Sequence, residues 1–192
     1  PYCVAIMSGV DPHIADWLTH PSLKTPINWC NASTSPFLVA AISCESSDPF
    51  FGRLPWRPNL TLADCQYFGP YQLIGNTEIG GGLENTNRII ALNNECDGGV
   101  NTNYAAYFAR NYVGGGYNDW YLPSLDELNK LYLNRSAVGG TWLAKYWTST
   151  ESSTASTLFA WFQDFSEFVG FTGVQKDYLK DLNQGVRAIR SF

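Results

Sequence analysis

At 192 residues the chain is long enough for one ordinary core or two small ones. Its 45% apolar and 15% charged residues, with 7 Trp, 11 Tyr and 11 Phe, exclude a disordered tail or a coiled coil. It has no apolar run long enough for a spanning helix, and a formal charge of −5 argues against broad, non-specific nucleic-acid binding.

In chain order, the sequence begins at Pro1 without an initiator Met, as a processed or trimmed product would. Residues 1–65 are rich in Pro, Ser, Thr and Asn and have little periodicity; they read as an irregular cap or assembly segment. Within it, residues 11–18 fit a short helix and residues 36–43 an apolar strand. Pro49, Pro55 and Pro58 impose a loop because each removes a backbone donor. All five cysteines (Cys3, Cys30, Cys44, Cys65 and Cys96) fall in the first half, without a CxxC pair, and His13 and His20 have no flanking Cys. Zinc is therefore not expected, and disulfides in an oxidising compartment are. Cys30 with Cys44 and Cys65 with Cys96 are the sequence-local pairings among several, with one cysteine left over. Asn31, Asn59 and Asn134 open glycosylation sequons, which matter only in a eukaryotic secretory host.

From residue 66 the glycine clusters at 80–82, 98–99, 114–116 and 139–140 punctuate a sharper pattern. Residues 85–94 and 104–112 have helical spacing. Residues 123–132 form the strongest signal: Ser124 and Glu127 make a capping box ahead of Leu125, Leu128, Leu131 and Tyr132. Residues 145–150 and 158–165, separated by a polar loop at 152–156, are aromatic and β-branched and read as strands. Residues 185–192 read as a closing strand. Helices followed by an antiparallel sheet predict an α+β domain over 66–192.

Catalytic chemistry finds little support. No HExxH or Gly-x-Ser-x-Gly pattern is present. Of the carboxylate pairs, Asp126/Glu127 is engaged by the helix start, and Asp164/Glu167 reads as a solvated hairpin end. No EF-hand run occurs. The expectation is a non-enzymatic chain without metal or cofactor, in which Trp120, Trp147 and Trp161 build the core. Charge is uneven. Residues 1–134 carry six bases against twelve acids, and residues 135–192 six against five. Arg135, Lys145, Lys176 and Lys180 are therefore the candidate ligand-binding set, a loop-borne cationic patch, whereas Arg187 and Arg190 are expected to tie the last strand to the sheet.

Four ordered blocks carry a resemblance: Gly115-Gly-Tyr-Asn-Asp-Trp-Tyr-Leu-Pro-Ser-Leu-Asp-Glu-Leu-Asn-Lys-Leu-Tyr132, Tyr146-Trp-Thr-Ser-Thr-Glu151, Ala160-Trp161 and Val186-Arg-Ala-Ile-Arg-Ser-Phe192. Residues 66–192 resemble the bacterial domain family named for the C-terminal domain of the Legionella collagen-like adhesin. The resemblance implies a C-type-lectin-like fold, two helices packed on a small twisted antiparallel sheet. It also implies a secreted or cell-surface setting, a trimer, and binding of sulfated glycosaminoglycans. The Glu-Pro-Asn, Gln-Pro-Asp and Trp-Asn-Asp tripeptides of calcium-dependent lectins do not occur. The expected function is an adhesin-type module that binds extracellular glycan or a host surface receptor, the latter through the loop at 151–156. The alternative is a structural subunit of a surface filament, with residues 1–65 supplying the contacts between subunits.

Overall fold

The protein, seen as a computed structural model, is described over residues 53–58, 73–113, 117–138, 145–154, 157–166 and 172–191, with the backbone of 3–6 and 38–41. His13, His20, the helix expected at 11–18 and sequon residues Asn31 and Asn59 lie outside them, as do Cys30, Cys44 and Cys65. Cys96 is disulfide-bonded.

The fold is α+β. Strands β1 (Cys3–Ile6), β2 (Leu38–Ala41) and β3 (Arg53–Leu54) come first. Helices α1 (Gly82–Asp97), α2 (Ala105–Asn111) and α3 (Leu125–Leu133) follow, with the single turn α4 (Arg135–Val138). Strands β4 (Lys145–Glu151), β5 (Phe159–Asp164), β6 (Gln175–Leu179), β7 (Gln184–Gly185) and β8 (Ile189–Ser191) complete the described elements. They form a three-stranded sheet, β1-β2-β8, and a five-stranded sheet, β3-β7-β4-β5-β6.

Two features differ from the sequence expectation. Among the described residues three helices, not two, exceed a single turn, and the larger sheet is mixed: β7 pairs parallel to β4 through Tyr146 and Gly185. Strands β4, β5 and β6 alternate in direction, so β7 runs the same way as β6. Residues 180–183 thus carry the chain to the far side of β4 without reversing it. Gly185 permits that approach, since a Cβ there would lie 2.8 Å from the Lys145 carbonyl oxygen. The N-terminal segment is also less irregular than its composition suggests. β2 pairs with β8, placing Ala40 opposite Ile189, and β3 pairs with β7. Trp56 is buried and donates its indole N–H to the Thr148 carbonyl at 2.7 Å.

Each helix follows from local chemistry. α1 stops at Gly98, whose φ of 70° is left-handed. Its inward side is largely polar: Asn85, Thr86 and Asn93 are buried with Ile89, and the Thr86 hydroxyl accepts from the Leu122 amide at 3.0 Å. α2 buries Ala105, Ala106 and Ala109 together with its N-cap Tyr104, and Tyr107 packs partly buried against the same core. α3 carries the predicted capping box, with Ser124 Oγ accepting from the Glu127 amide and Glu127 Oε2 accepting from the Ser124 amide at 2.8 Å. Trp120 and Trp147 are fully buried as expected, whereas Trp161 is only half-buried, because β5 turns its neighbours Ala160 and Phe162 inward.

Glu127 does more than cap. Its side chain is out of contact with water, and Oε1 accepts from the Gly80 amide at 2.9 Å and the Tyr121 hydroxyl at 3.2 Å. Burial pushes its carboxyl above the usual range, against the pull of these donors, and burial also raises the Tyr121 phenol. Ser124→Ala is expected to cost about 1 kcal/mol, the worth of a cap. Glu127→Ala is expected to cost several times more, because it orphans three donors at about 1–3 kcal/mol each. Urea unfolding of both variants measures the difference.

Candidate functional site

The strands distribute the four expected cations to three separate places. Arg135, at the start of α4, donates to the Tyr132 carbonyl at 3.0 Å and lies 4.2 Å from the centre of the Tyr132 ring. Tyr132 packs edge-on against Phe165, on the α3 side of the larger sheet. Arg135 is thereby committed to the fold around α3.

Lys180 is not a surface cation. It follows β6, exchanging backbone bonds with Leu158 and Trp56, and its side chain is 2% exposed. The ammonium pairs with Glu151, itself 2% exposed, and sits 4.3 Å from the centre of the Trp56 ring. Glu151 Oε2 also accepts from the Ile74 amide at 2.8 Å. The alternation of β6 places Lys176, Tyr178 and Lys180 on one face. That face is open at Lys176 and closed by Trp56 at Lys180, which is why a lysine placed in a loop by its sequence becomes a core residue. Desolvation brings its amine down to about 8, opposed by Glu151 and assisted by Arg57.

Lys145 and Lys176 do come together. Lys145 opens β4, with its Nζ 5.3 Å from the centre of the Phe162 ring and 5.5 Å from that of Tyr178. Lys176 is exposed on β6, not in a loop, and stands directly opposite Phe162. Phe162 and Tyr178 meet edge-on, and Tyr178 is 39% exposed. Two amines thus share a rigid sheet face with a partly exposed phenol, an arrangement suited to an anion attached to a hydrophobic or ring-shaped body. β6 is not legible in the sequence, because Gln175-Lys176-Asp177-Tyr178-Leu179 has the composition of a solvated strand at a sheet edge.

A second polar cluster stands apart from these lysines. Arg190 on β8 grips Asp119 with two bonds, Nε to Oδ1 at 2.6 Å and an Nη to Oδ2 at 2.7 Å. Its guanidinium lies 3.7 Å from the centre of the Tyr117 ring. The Arg190 hydrogen bond, more than its charge, holds the Asp119 carboxyl below the usual range. The sequence predicts that Arg190 ties the last strand to the sheet; its partner is Asp119, on the segment that leads into α3 and bridges β8 at Tyr121. Arg187 is buried, 5.8 Å from the centre of the Tyr146 ring.

Two surface depressions among the described residues are open. One follows α1 along Leu83, Asn87 and Ala91; the other lies among Arg110, Asn111, Tyr112, Val113 and Asn118. Among the described residues no three His, Cys, Asp or Glu side chains gather as metal ligands, and no helix is long and apolar enough to cross a membrane. No protein-family model matches the chain, and no curated protein matches it either.

Removing only Lys180 leaves Glu151 buried and unpaired, so Lys180→Ala is expected to lose about 3–5 kcal/mol, whereas Lys180→Met with Glu151→Leu recovers most of it. The pH response has a definite sign. Between about 8 and the ordinary value of 10.5 the folded amine has released a proton that the unfolded one keeps. The Lys180 contribution to stability therefore rises with pH across that window and is flat below it. Unfolding free energies of the wild type and the double variant, compared across the window, read this slope.

Proposed function

We propose that this chain is a non-catalytic extracellular recognition module of C-type-lectin-like fold, akin to the C-terminal domain of the Legionella collagen-like adhesin, and that it binds acidic glycans, sulfated glycosaminoglycans among them. The observation that carries this reading is the pairing of Lys145 and Lys176 around Tyr178 on one sheet face. Sulfate or carboxylate groups meet the two amines, and a sugar ring rests against the phenol. The disulfide at Cys96 supports an oxidising, exported setting.

Exposed charge pairs are worth about 0.2–1 kcal/mol each, and the molecule as a whole is acidic, so one copy binds weakly. A homo-oligomer, most simply a trimer, multiplies the contact by raising the effective concentration of the second and third sites. Leu158, Leu179 and Leu182 are exposed at the end of the sheet where β5 begins and β6 finishes, and this apolar group favours the filament-subunit reading as the alternative. Sedimentation separates the two: long polymers without glycan affinity support the filament.

Heparin fragments are expected to bind with an affinity that falls as salt rises, and neutral glycans to be indifferent to salt. Lys145→Ala with Lys176→Ala is expected to remove most heparin binding, whereas Arg135→Ala leaves it. Calorimetric titration at two ionic strengths reads both. Salt-indifferent heparin binding, or binding untouched in the double variant, rejects the lysine face.

A further inference from the structure

We propose that the open depression at the end of α2, among Arg110, Asn111, Tyr112, Val113 and Asn118, is a second binding site, one that takes a hexuronate, a sugar ring carrying a carboxylate. The Arg110 guanidinium receives the carboxylate, the carboxamides of Asn111 and Asn118 meet ring hydroxyls, and Val113 covers an apolar edge of the ring. The site goes beyond the lysine face and does not depend on Lys145 or Lys176.

Arg110 supplies the charge. Among the described residues its guanidinium makes a single hydrogen bond, from Nη1 to the Asn118 carbonyl oxygen at 2.9 Å. That bond orients the planar group and leaves most of its N–H donors for a ligand. Asp119 lies within the field of Arg110, yet both Asp119 oxygens are held by Arg190. Arg110 therefore has no ion-pair partner among the described residues, and the two guanidinium groups outweigh the one carboxylate. The open edge of a guanidinium matches the two oxygens of a carboxylate, whereas a lysine offers only a point charge.

The carboxamides select a sugar ring over a bare anion. Asn111 Nδ2 donates to the Tyr107 carbonyl oxygen at 2.9 Å, which leaves Asn111 Oδ1 as an acceptor. An inorganic anion has nothing to donate to that oxygen, but a ring hydroxyl does. The Asn118 side chain is exposed and makes no hydrogen bond to a described residue, so it offers both a donor and an acceptor. Val113 is largely exposed and adds an apolar contact.

The depression is ordered before any ligand arrives. The Arg110 bond ties the end of α2 to the segment that leads into α3. Tyr112 packs edge-on against the fully buried Trp120, with ring centres 5.3 Å apart. Ligand binding therefore orders little new structure.

The test is a titration of the whole chain with tetragalacturonate and with a hyaluronan hexasaccharide at millimolar concentration, followed by backbone amide NMR. The expected result is saturable movement of the Arg110, Asn111, Val113 and Asn118 amides with at least one of the two, kept in the Lys145→Ala, Lys176→Ala variant. The methyl ester of the active oligomer, which has lost only its charge, is expected to bind about tenfold more weakly, and so is the acid to Arg110→Gln. Asn118→Ala keeps the carbonyl that Arg110 grips and is expected to weaken binding about threefold or more, so it remains informative even where Arg110→Gln disturbs the fold. No saturable movement with either oligomer, equal binding of acid and ester, movement confined to Lys145 and Lys176, or affinity unchanged in Arg110→Gln overturns the proposal. Salt-indifferent heparin binding rejects the lysine face alone and leaves this site standing.

Discussion

One carboxylate shielded from solvent organises the middle of this molecule. Glu127 accepts from amides on two separate segments, at Gly80 and Ser124, and from the Tyr121 hydroxyl. The approach is close enough that a Cβ on Gly82 would lie 2.2 Å from its Oε2. The start of α1, the start of α3 and the strand-like segment at 121 therefore meet at one acceptor. The same Tyr121 pairs with Ile189, and Ile189 pairs on its other side with Ala40. A residue whose local role is to cap a helix thus indirectly sets where the chain end lies, and with it the position of Arg190 over Tyr117.

A second buried charge closes the end of the larger sheet that adjoins the start of α3. Glu151 and Lys180 join the end of β4 to the end of β6, and the Ile74 amide and Trp56 ring complete their surroundings. Such a pair contributes modestly to net stability because desolvation offsets most of its attraction. It does fix an arrangement, since neither partner tolerates burial alone. One consequence concerns the outside of the protein: Lys180 is subtracted from the surface charge, and Arg190 is largely neutralised by Asp119. The exposed positive charge of the C-terminal third is accordingly smaller than its composition suggests.

Legibility in the sequence followed the range of the interaction. The α3 start could be read from Ser124 and Glu127 because a capping box closes within four residues. β4 and β5 could be read because runs such as Tyr146-Trp147-Thr148 and Phe159-Ala160-Trp161-Phe162 disfavour other backbone states. β6 could not, because its exposed Lys176 and Tyr178 carry no alternation, and it is a strand only where β5 supplies its partner. β1 was obscured in the same way, whereas β2 falls inside the apolar run read as a strand over 36–43. Asp119 was visible as part of the segment leading into a helix, but its partner arrives on the last strand.

The sequence alone therefore determined the α+β class, the α3 cap, the strand identity of β4 and β5 and the burial of Trp120 and Trp147. These properties arise from periodicity, caps and side-chain size over a few residues. Only the tertiary structure decided that β7 lies parallel to β4, that Lys180 turns inward and that Arg190 meets Asp119 over Tyr117. Each of these depends on which distant segment comes to lie alongside, and a lysine has the same letter whether a tryptophan or water covers it.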